Sequence, residues 1–255
     1  MTETPLVGRV ERYLRDQLVA GPLHFTLIDP DKSRGEKAAA LARGAASLGS
    51  HAILLGGSTG ISREVMSEAA RAIKRSVAIP AIIFPEGPGS LTPDADAVLF
   101  MSLLNSRNLD LVIRTHARSA TAVRRMGLEA IPMGYLVIAP GMRVGEVGAV
   151  DAVLREDLGG ATGYSLAAEL LGMRFVYLEA GSGAPAPVPV DMVRAVREVL
   201  SIPLIVGGGI RSGPEAKAIL EAGANVLVTG TITEEEGLGS AFRGILEEVR
   251  RGRGA

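Results

Sequence analysis

The sequence predicts an α/β fold, a modified (β/α)₈ barrel forming one domain over residues 1–255. Three observations lead there. Eight short apolar runs recur along the chain, each closed by turn residues. The runs are nearly continuous rather than alternating, which suits strands buried on both faces of a parallel sheet. Amphipathic helical patterns fill most of the gaps, and eight strand–helix units in about 250 residues is the size of such a barrel. An open doubly wound sheet is the competing layout; eight strands without a clear second domain favour the barrel.

The elements follow in order. "GRVERYLRDQLV" reads as an extra N-terminal helix that closes the barrel bottom. "HFTLID" (His24 to Asp29) is the first strand and "GEKAAALARGAASLG" its helix. "HAILLGG" (His51 to Gly57) is the second, followed by "SREVMSEAARAIKRS". The third strand, "AIIFP" (Ala81 to Pro85), breaks the pattern. Behind it stands "EGPGSLTPDAD", whose prolines and glycines do not support a packed helix. The third helix is therefore missing or replaced by an extended segment. Its absence predicts a groove in the barrel wall, between helices two and four, suited to a long apolar ligand. "AVLFMSLL" (Ala97 to Leu104) is the fourth strand, with the helical "LDLVIRTHARSATAVRRMG". "AIPMGYLVIAP" (Ala130 to Pro140) is the fifth, and the stretch behind it is long enough for two helical pieces broken at Gly159-Gly160. "FVYLEAGSG" (Phe175 to Gly183), "PLIVGGG" (Pro203 to Gly209) and "NVLVTGT" (Asn225 to Thr231) complete the set. Their helices are "VDMVRAVREVL", "GPEAKAILEAG" and "GSAFRGILEEVRR".

Composition narrows the function. A net charge of −1 provides no basic field for nucleic acid. The chain has no cysteine, which excludes a catalytic thiol, thiolate metal sites and disulfides. No apolar run approaches the roughly 18 residues of a spanning helix. The charged start does not read as a signal peptide. A soluble, cytoplasmic protein is the expectation.

In this fold function sits at the C-terminal strand ends. His24 and His51 begin strands, and His116 lies among arginines within a helix, so all three read as structural, His116 as a surface residue. The strand ends carry the chemistry: Asp29, Asp31 and Lys32 after the first, Ser58 and Thr59 after the second, Glu86 after the third, Asn105 after the fourth. The fifth ends without a carboxylate. Tyr177, Glu179 and Ser182 follow the sixth, Gly207 to Gly209 the seventh, Gly230 and Thr231 the eighth. Glycines let backbone N–H groups approach an anion, and a helix N-terminus adds its positive end. Clusters at consecutive late strands point to a phosphate-bearing ligand. Asp29 and Ser58, on neighbouring strands, can face one cation, and a site with few protein oxygens suits Mg²⁺. The competing reading of Asp29 is a turn residue before Pro30. Glu179 can orient or deprotonate a hydroxyl; a salt bridge to a basic neighbour is its alternative.

"HFTLIDPDK", "ILLGGSTGIS", "YLEAGSG", "IVGGGIRS" and "VLVTGT", in that order, resemble the geranylgeranylglyceryl phosphate synthases and their relatives, the heptaprenylglyceryl phosphate synthases. The resemblance runs from about His24 to about Thr231. It implies a prenyltransferase that joins a polyprenyl diphosphate to the 3-hydroxyl of sn-glycerol 1-phosphate and releases diphosphate. It implies Mg²⁺ at Asp29 and Ser58. Glycerol phosphate would lie on Tyr177, Leu178, Glu179, Ala180, Gly181, Ser182 and Gly183, on Gly208 and Gly209, and on Gly230 and Thr231. Glu179 would take the hydroxyl proton and Tyr177 would position the substrate, while Tyr135, Leu136 and Ile138 would line the prenyl tail. Where some members carry a lysine shortly before the metal aspartate, this chain has Thr26 and Leu27. The basic contact to the diphosphate then falls to Lys32 or a nearby arginine, and the threonine leans towards the geranylgeranyl donor. A homo-oligomer and transient contact with a membrane surface are expected. The rival readings are a sugar-phosphate isomerase or lyase and a phosphate-ligand-binding barrel without turnover.

Overall fold

A computed structural model describes residues 7–57 and 59–254. Eight parallel strands close into a barrel in chain order: β1 (Leu23–Ile28), β2 (Ala52–Leu55), β3 (Ala81–Ile83), β4 (Ala97–Leu103), β5 (Glu129–Val137), β6 (Phe175–Glu179), β7 (Leu204–Gly207) and β8 (Val226–Thr229). β8 pairs with β1 through Leu23↔Val226 to Thr26↔Thr229, which closes the ring.

Strand alternation divides the core in two. Leu23, Phe25, Leu54, Leu99, Met133, Tyr135, Phe175, Tyr177 and Val228 point into the barrel. Ile53, Leu55, Leu136, Leu178, Val206 and Leu227 point out, against the helices. Those helices form where apolar residues recur at helical spacing. In α2 (Gly35–Leu48), Ala38, Ala42 and Ala45 make one buried face. α3 (Arg63–Lys74) starts at Ser62, whose hydroxyl accepts from Val65 N, a cap worth about 1 kcal/mol.

β3 and β4 are joined without a packed helix. Residues 85–96 form an extended segment with one 3₁₀ turn, Pro88–Ser90. The seam beside it is thin, since β3 meets β4 at only Ile82↔Ala97 and Ile83↔Val98. β4 and β5 pair over a much longer stretch, from Ala97↔Glu129 to Leu103↔Tyr135.

At the strand starts, α1 (Arg9–Val19) plugs the barrel with Val10 and Leu14. Glu129 accepts from the amides of Val10 (2.7 Å) and Glu11 (2.8 Å), satisfying two orphan donors of the first helical turn. Fully buried Glu11 pairs with Arg174 at 2.6 Å and Arg15 at 2.9 Å. The remaining helices are α4 (Thr115–Arg125), entered through a π-helical turn at Asp110–Arg114, α5 (Met142–Val147), α6 (Leu158–Leu170), α7 (Val190–Val199), α8 (Gly213–Glu221), α9 (Thr231–Glu235) and α10 (Ser240–Gly252). The break between α5 and α6 falls at residues 148–157, ahead of the glycine pair. Gly159 and Gly160 lie in the first turn of α6, where the Asp157 side chain accepts from Gly160 N. Among the described residues, no helix is long and apolar enough to cross a membrane.

His24 and His51 serve the fold. His24 is fully buried, with Nε2 2.9 Å from Thr229 Oγ1 and Nδ1 3.2 Å from Ser50 Oγ. Burial, with His51 beside it, pushes its pKa down to about 3, and burial with Arg253 nearby pushes His51 to about 4. Both are neutral in the fold, whereas an unfolded histidine gains its proton near pH 6.5. Their contribution to stability is thus full above that value and is lost progressively as pH falls from it. For His24 alone the loss by pH 5 is on the order of 2 kcal/mol. Thermal melting is expected to fall between pH 7 and pH 5, and His24→Gln should flatten that dependence.

Candidate active site

A cavity of about 670 Å³ opens at the C-terminal ends of the strands. It has two limbs. The polar limb is walled by Glu179, Ser182, Gly208, Gly209, Gly230 and Thr231. The apolar limb runs past Phe84, Leu99, Met101 and Leu111 to Leu91, Val98 and Val123, lying between α4 and the segment that replaces the third helix. The groove expected from the sequence is therefore present and continuous with the phosphate-type loops.

Glu179 stands at the junction, 6% exposed. Its Oε1 accepts from Gly181 N at 2.7 Å, and its Oε2 accepts from the Tyr135 hydroxyl at 3.1 Å. Burial raises its pKa above the ordinary carboxylate value, while the Gly181 amide and the Tyr177 and Tyr135 hydroxyls pull it back. The salt-bridge alternative for Glu179 does not occur among the described residues; its partners are neutral donors. Tyr135 and Tyr177 are themselves raised well above the usual tyrosine range by burial and by the Glu179 charge. Ring centroids of Tyr135 and Tyr177 lie 5.0 Å apart, and Phe84 stands 5.7 and 6.1 Å from them, all edge to face. The chain has only 4 tyrosines and 5 phenylalanines, so this grouping is a local concentration.

The glycines have packing reasons as well as an open backbone. A Cβ at Gly207 would sit on the Tyr177 hydroxyl. One at Gly208 (φ +80°) would sit on Glu179 Oε1 and 2.6 Å from Gly181 N. Ser182 Oγ and Thr231 Oγ1 lie 2.8 Å apart and join the β6 loop to the β8 loop. Gly181 lies behind Glu179, while Ser182 and Gly183 reach the cavity. Leu178 and Ala180 turn outward into the helical layer, so only their backbones are available to a ligand.

Asp29, 3% exposed, ends the β1 segment, with Oδ1 accepting from Asp31 N at 3.0 Å and Oδ2 3.7 Å from Lys32 Nζ. Gly57 abuts this carboxylate. The turn reading holds for this residue, through the bond from Asp31 N, and that bond does not conflict with the cation reading. A single buried carboxylate beside a cavity fits a hard divalent ion that takes its other ligands from phosphate and water. Ser58 lies outside the described residues. Glu86 is occupied, accepting from Gly60 N at 2.6 Å and Ile61 N at 2.7 Å. Asn105 ties β4 to the strand beside it, donating to Val137 O and Asp151 O.

Several expectations are corrected. His116 is not a surface residue. It lines the apolar limb, its Nε2 is 2.7 Å from Met101 O, and its ring stacks edge-on at 4.7 Å from Phe100. Leu136 and Ile138 face the helices, and of the three residues expected to line a tail only Tyr135 reaches the cavity. Thr26 also faces outward, donating to Ser50 Oγ, so the neighbour that enters the cavity is Leu27. The hydrogen bond from Tyr135 to Glu179 was not foreseen. No local signal points to it, since the two side chains stand on neighbouring strands 44 residues apart.

The PcrB family pattern matches residues 14–249. The chain belongs to this family. It is 48% identical to the geranylgeranylglyceryl phosphate synthase of Thermococcus gammatolerans, over 96% of this chain and 98% of that one. It is 49% identical to the enzyme of that name from Methanothrix thermoacetophila, over 91% of each. The crystal structure of (S)-3-O-geranylgeranylglyceryl phosphate synthase from Thermoplasma acidophilum in complex with sn-glycerol-1-phosphate superposes with a TM-score of 0.91 at 43% identity, covering 96% of this chain and all of that one.

Gly208→Ala is expected to push the Glu179 carboxylate from its seat and to strain a left-handed backbone. A loss of roughly 1–3 kcal/mol in denaturant unfolding should result. Binding of glycerol phosphate, read by calorimetry, should weaken with it.

Proposed function

We propose that this PcrB-family chain is a prenyltransferase. It joins a polyprenyl diphosphate, geranylgeranyl diphosphate being the expected donor, to the 3-hydroxyl of sn-glycerol 1-phosphate. One observation carries the reading: a single cavity unites a glycine-walled polar limb with a long apolar limb, and a buried carboxylate stands where they meet.

The polar limb takes the glycerol phosphate on the amides and hydroxyls of the β6, β7 and β8 loops. Anchoring the phosphate fixes the hydroxyl at the junction, so attack becomes effectively intramolecular. The prenyl tail lies along the apolar limb. The bond between the allylic carbon and the diphosphate oxygen breaks, and its electron pair leaves with the diphosphate. The glycerol oxygen bonds that carbon and gives its proton to Glu179. Burial strengthens Glu179 as a base, and its two hydrogen bonds fix its direction. The rings of Phe84, Tyr135 and Tyr177 keep the junction dry and offer a cation–π contact of about 0.5–2 kcal/mol to allylic positive charge. Asp29, with Ser58, would hold Mg²⁺, which neutralises the leaving diphosphate when bound.

The relatives' names support the donor and acceptor, and the two-limbed cavity supports them independently. Leu170 and Leu171, 79% and 77% exposed, support a homo-oligomer. Transient contact with a membrane surface follows from the lipid nature of the product.

The test is turnover with farnesyl, geranylgeranyl and longer diphosphates against both glycerol phosphate enantiomers. Ether formation with the 1-phosphate alone, fastest with geranylgeranyl diphosphate, is expected. A heptaprenyl preference would reassign the donor, and no ether from any pair would sink the reading. Glu179→Gln should lower kcat by about a hundredfold or more. In the unsubstituted protein kcat/KM should rise with pH through an apparent pKa above the ordinary glutamate value, because only the ionised carboxylate accepts the proton.

A further inference from the structure

We infer that Arg143 is the residue that grips the diphosphate of the prenyl donor. The inference rests on the donor assigned under Proposed function. Three cations line the cavity among the described residues: Lys32, Arg143 and Arg211. Two are committed to carboxylates. Lys32 Nζ lies 2.7 Å from Glu234 Oε2 and 3.7 Å from Asp29 Oδ2, and Arg211 Nη1 lies 3.1 Å from Glu235 Oε2. Arg143 instead donates through Nη2 to a neutral group, Thr59 Oγ1, at 2.9 Å. A guanidinium has five donors in a planar fork. One bond to a hydroxyl leaves the rest of that fork for a phosphate, which it matches better than an ammonium does.

Its position follows from the backbone. Arg143 is carried by the first turn of α5 and reaches to Thr59 in the loop after β2. The turn before it is held in a costly conformation. Gly141 has φ +71° and Met142, not a glycine, has φ +49°. Such a residue costs on the order of 1–3 kcal/mol and persists where its surroundings over-determine it. They do so here, since a Cβ on Gly181 would lie 2.6 Å from both Gly141 O and Met142 Cγ. Gly181 is also the amide that holds Glu179. The loop that fixes the carboxylate thus also braces the turn that aims Arg143. The diphosphate would meet Arg143 at the mouth, beside Thr59, while Lys32 stays with Glu234 and Asp29. This supplies the basic contact for which Thr26 and Leu27 provide no lysine.

The experiment uses inorganic diphosphate with Mg²⁺ as the binding probe, beside steady-state turnover. Arg143→Ala is expected to weaken diphosphate binding about tenfold or more. It should lower kcat/KM for geranylgeranyl diphosphate about a hundredfold and leave glycerol 1-phosphate affinity within about twofold. Arg143→Lys should recover part of the loss. Arg143→Gln removes the charge but can still donate to Thr59. It is expected to behave like the alanine variant; behaviour like the unsubstituted protein would make Arg143 a tether for the loop and overturn the proposal. Equal diphosphate affinity in all variants would overturn it too. Diphosphate binding that depends on Arg143 in a protein that forms no ether would leave Arg143 in place and sink the prenyltransferase reading instead.

Discussion

Closure of β8 onto β1 is the constraint from which the rest of the molecule follows. Once the ring is shut, every second side chain of every strand belongs to one interior, and the others belong to the helical layer. A shift of one residue in any strand would exchange the two sets. That parity places Tyr135, Tyr177 and Glu179 in one space and sends Leu178, Thr26 and Ile138 out of it. α1 blocks the bottom with Val10 and Leu14, so among the described residues the interior cavity opens where the strands end. Chemistry at the mouth is a consequence of closure as much as of the residues found there.

Within that mouth the charge on Glu179 is tolerated because its neighbours are arranged around it. An isolated buried carboxylate is expensive. Here one oxygen takes a backbone amide and the other a tyrosine hydroxyl. The glycines of the β7 loop leave room for both arrangements, since side chains at Gly207 and Gly208 would displace Tyr177 and Glu179. The same glycines give clearance for the buried network, and under the proposed function they also let the backbone approach an anion. Carboxylate, rings and glycine turn are in mutual contact, so substitutions among them are expected to be non-additive.

Much of this was legible in the chain. Eight continuous apolar runs and their turn residues led to the barrel, and "EGPGSLTPDAD" led to the missing helix, because proline and glycine act locally. The plug of α1 followed from the same local rules. What escaped depends on which way a side chain faces across space. His116 has arginine neighbours and reads as surface, yet its helix packs beside a groove rather than an outer partner, and the imidazole turns inward. Thr26 and Leu27 differ by one residue and therefore by a whole layer. Gly159 and Gly160 read as a break, but a first turn tolerates glycine when Asp157 caps it. The link between Tyr135 and Glu179 crosses two strands and has no local signature.

The seam between β3 and β4 holds by two residue pairs and has no helix behind it. Under the proposed function, a hydrocarbon chain lodged there would occupy the volume that an amphipathic helix fills elsewhere in the ring. It would in effect be the missing wall element, supplied from outside. Apolar area that other barrels bury on folding would here be buried on binding, so a bound tail would add to the stability of the native state at this seam. The ring itself is closed by strand pairing alone; what the seam lacks is outer cover, not closure.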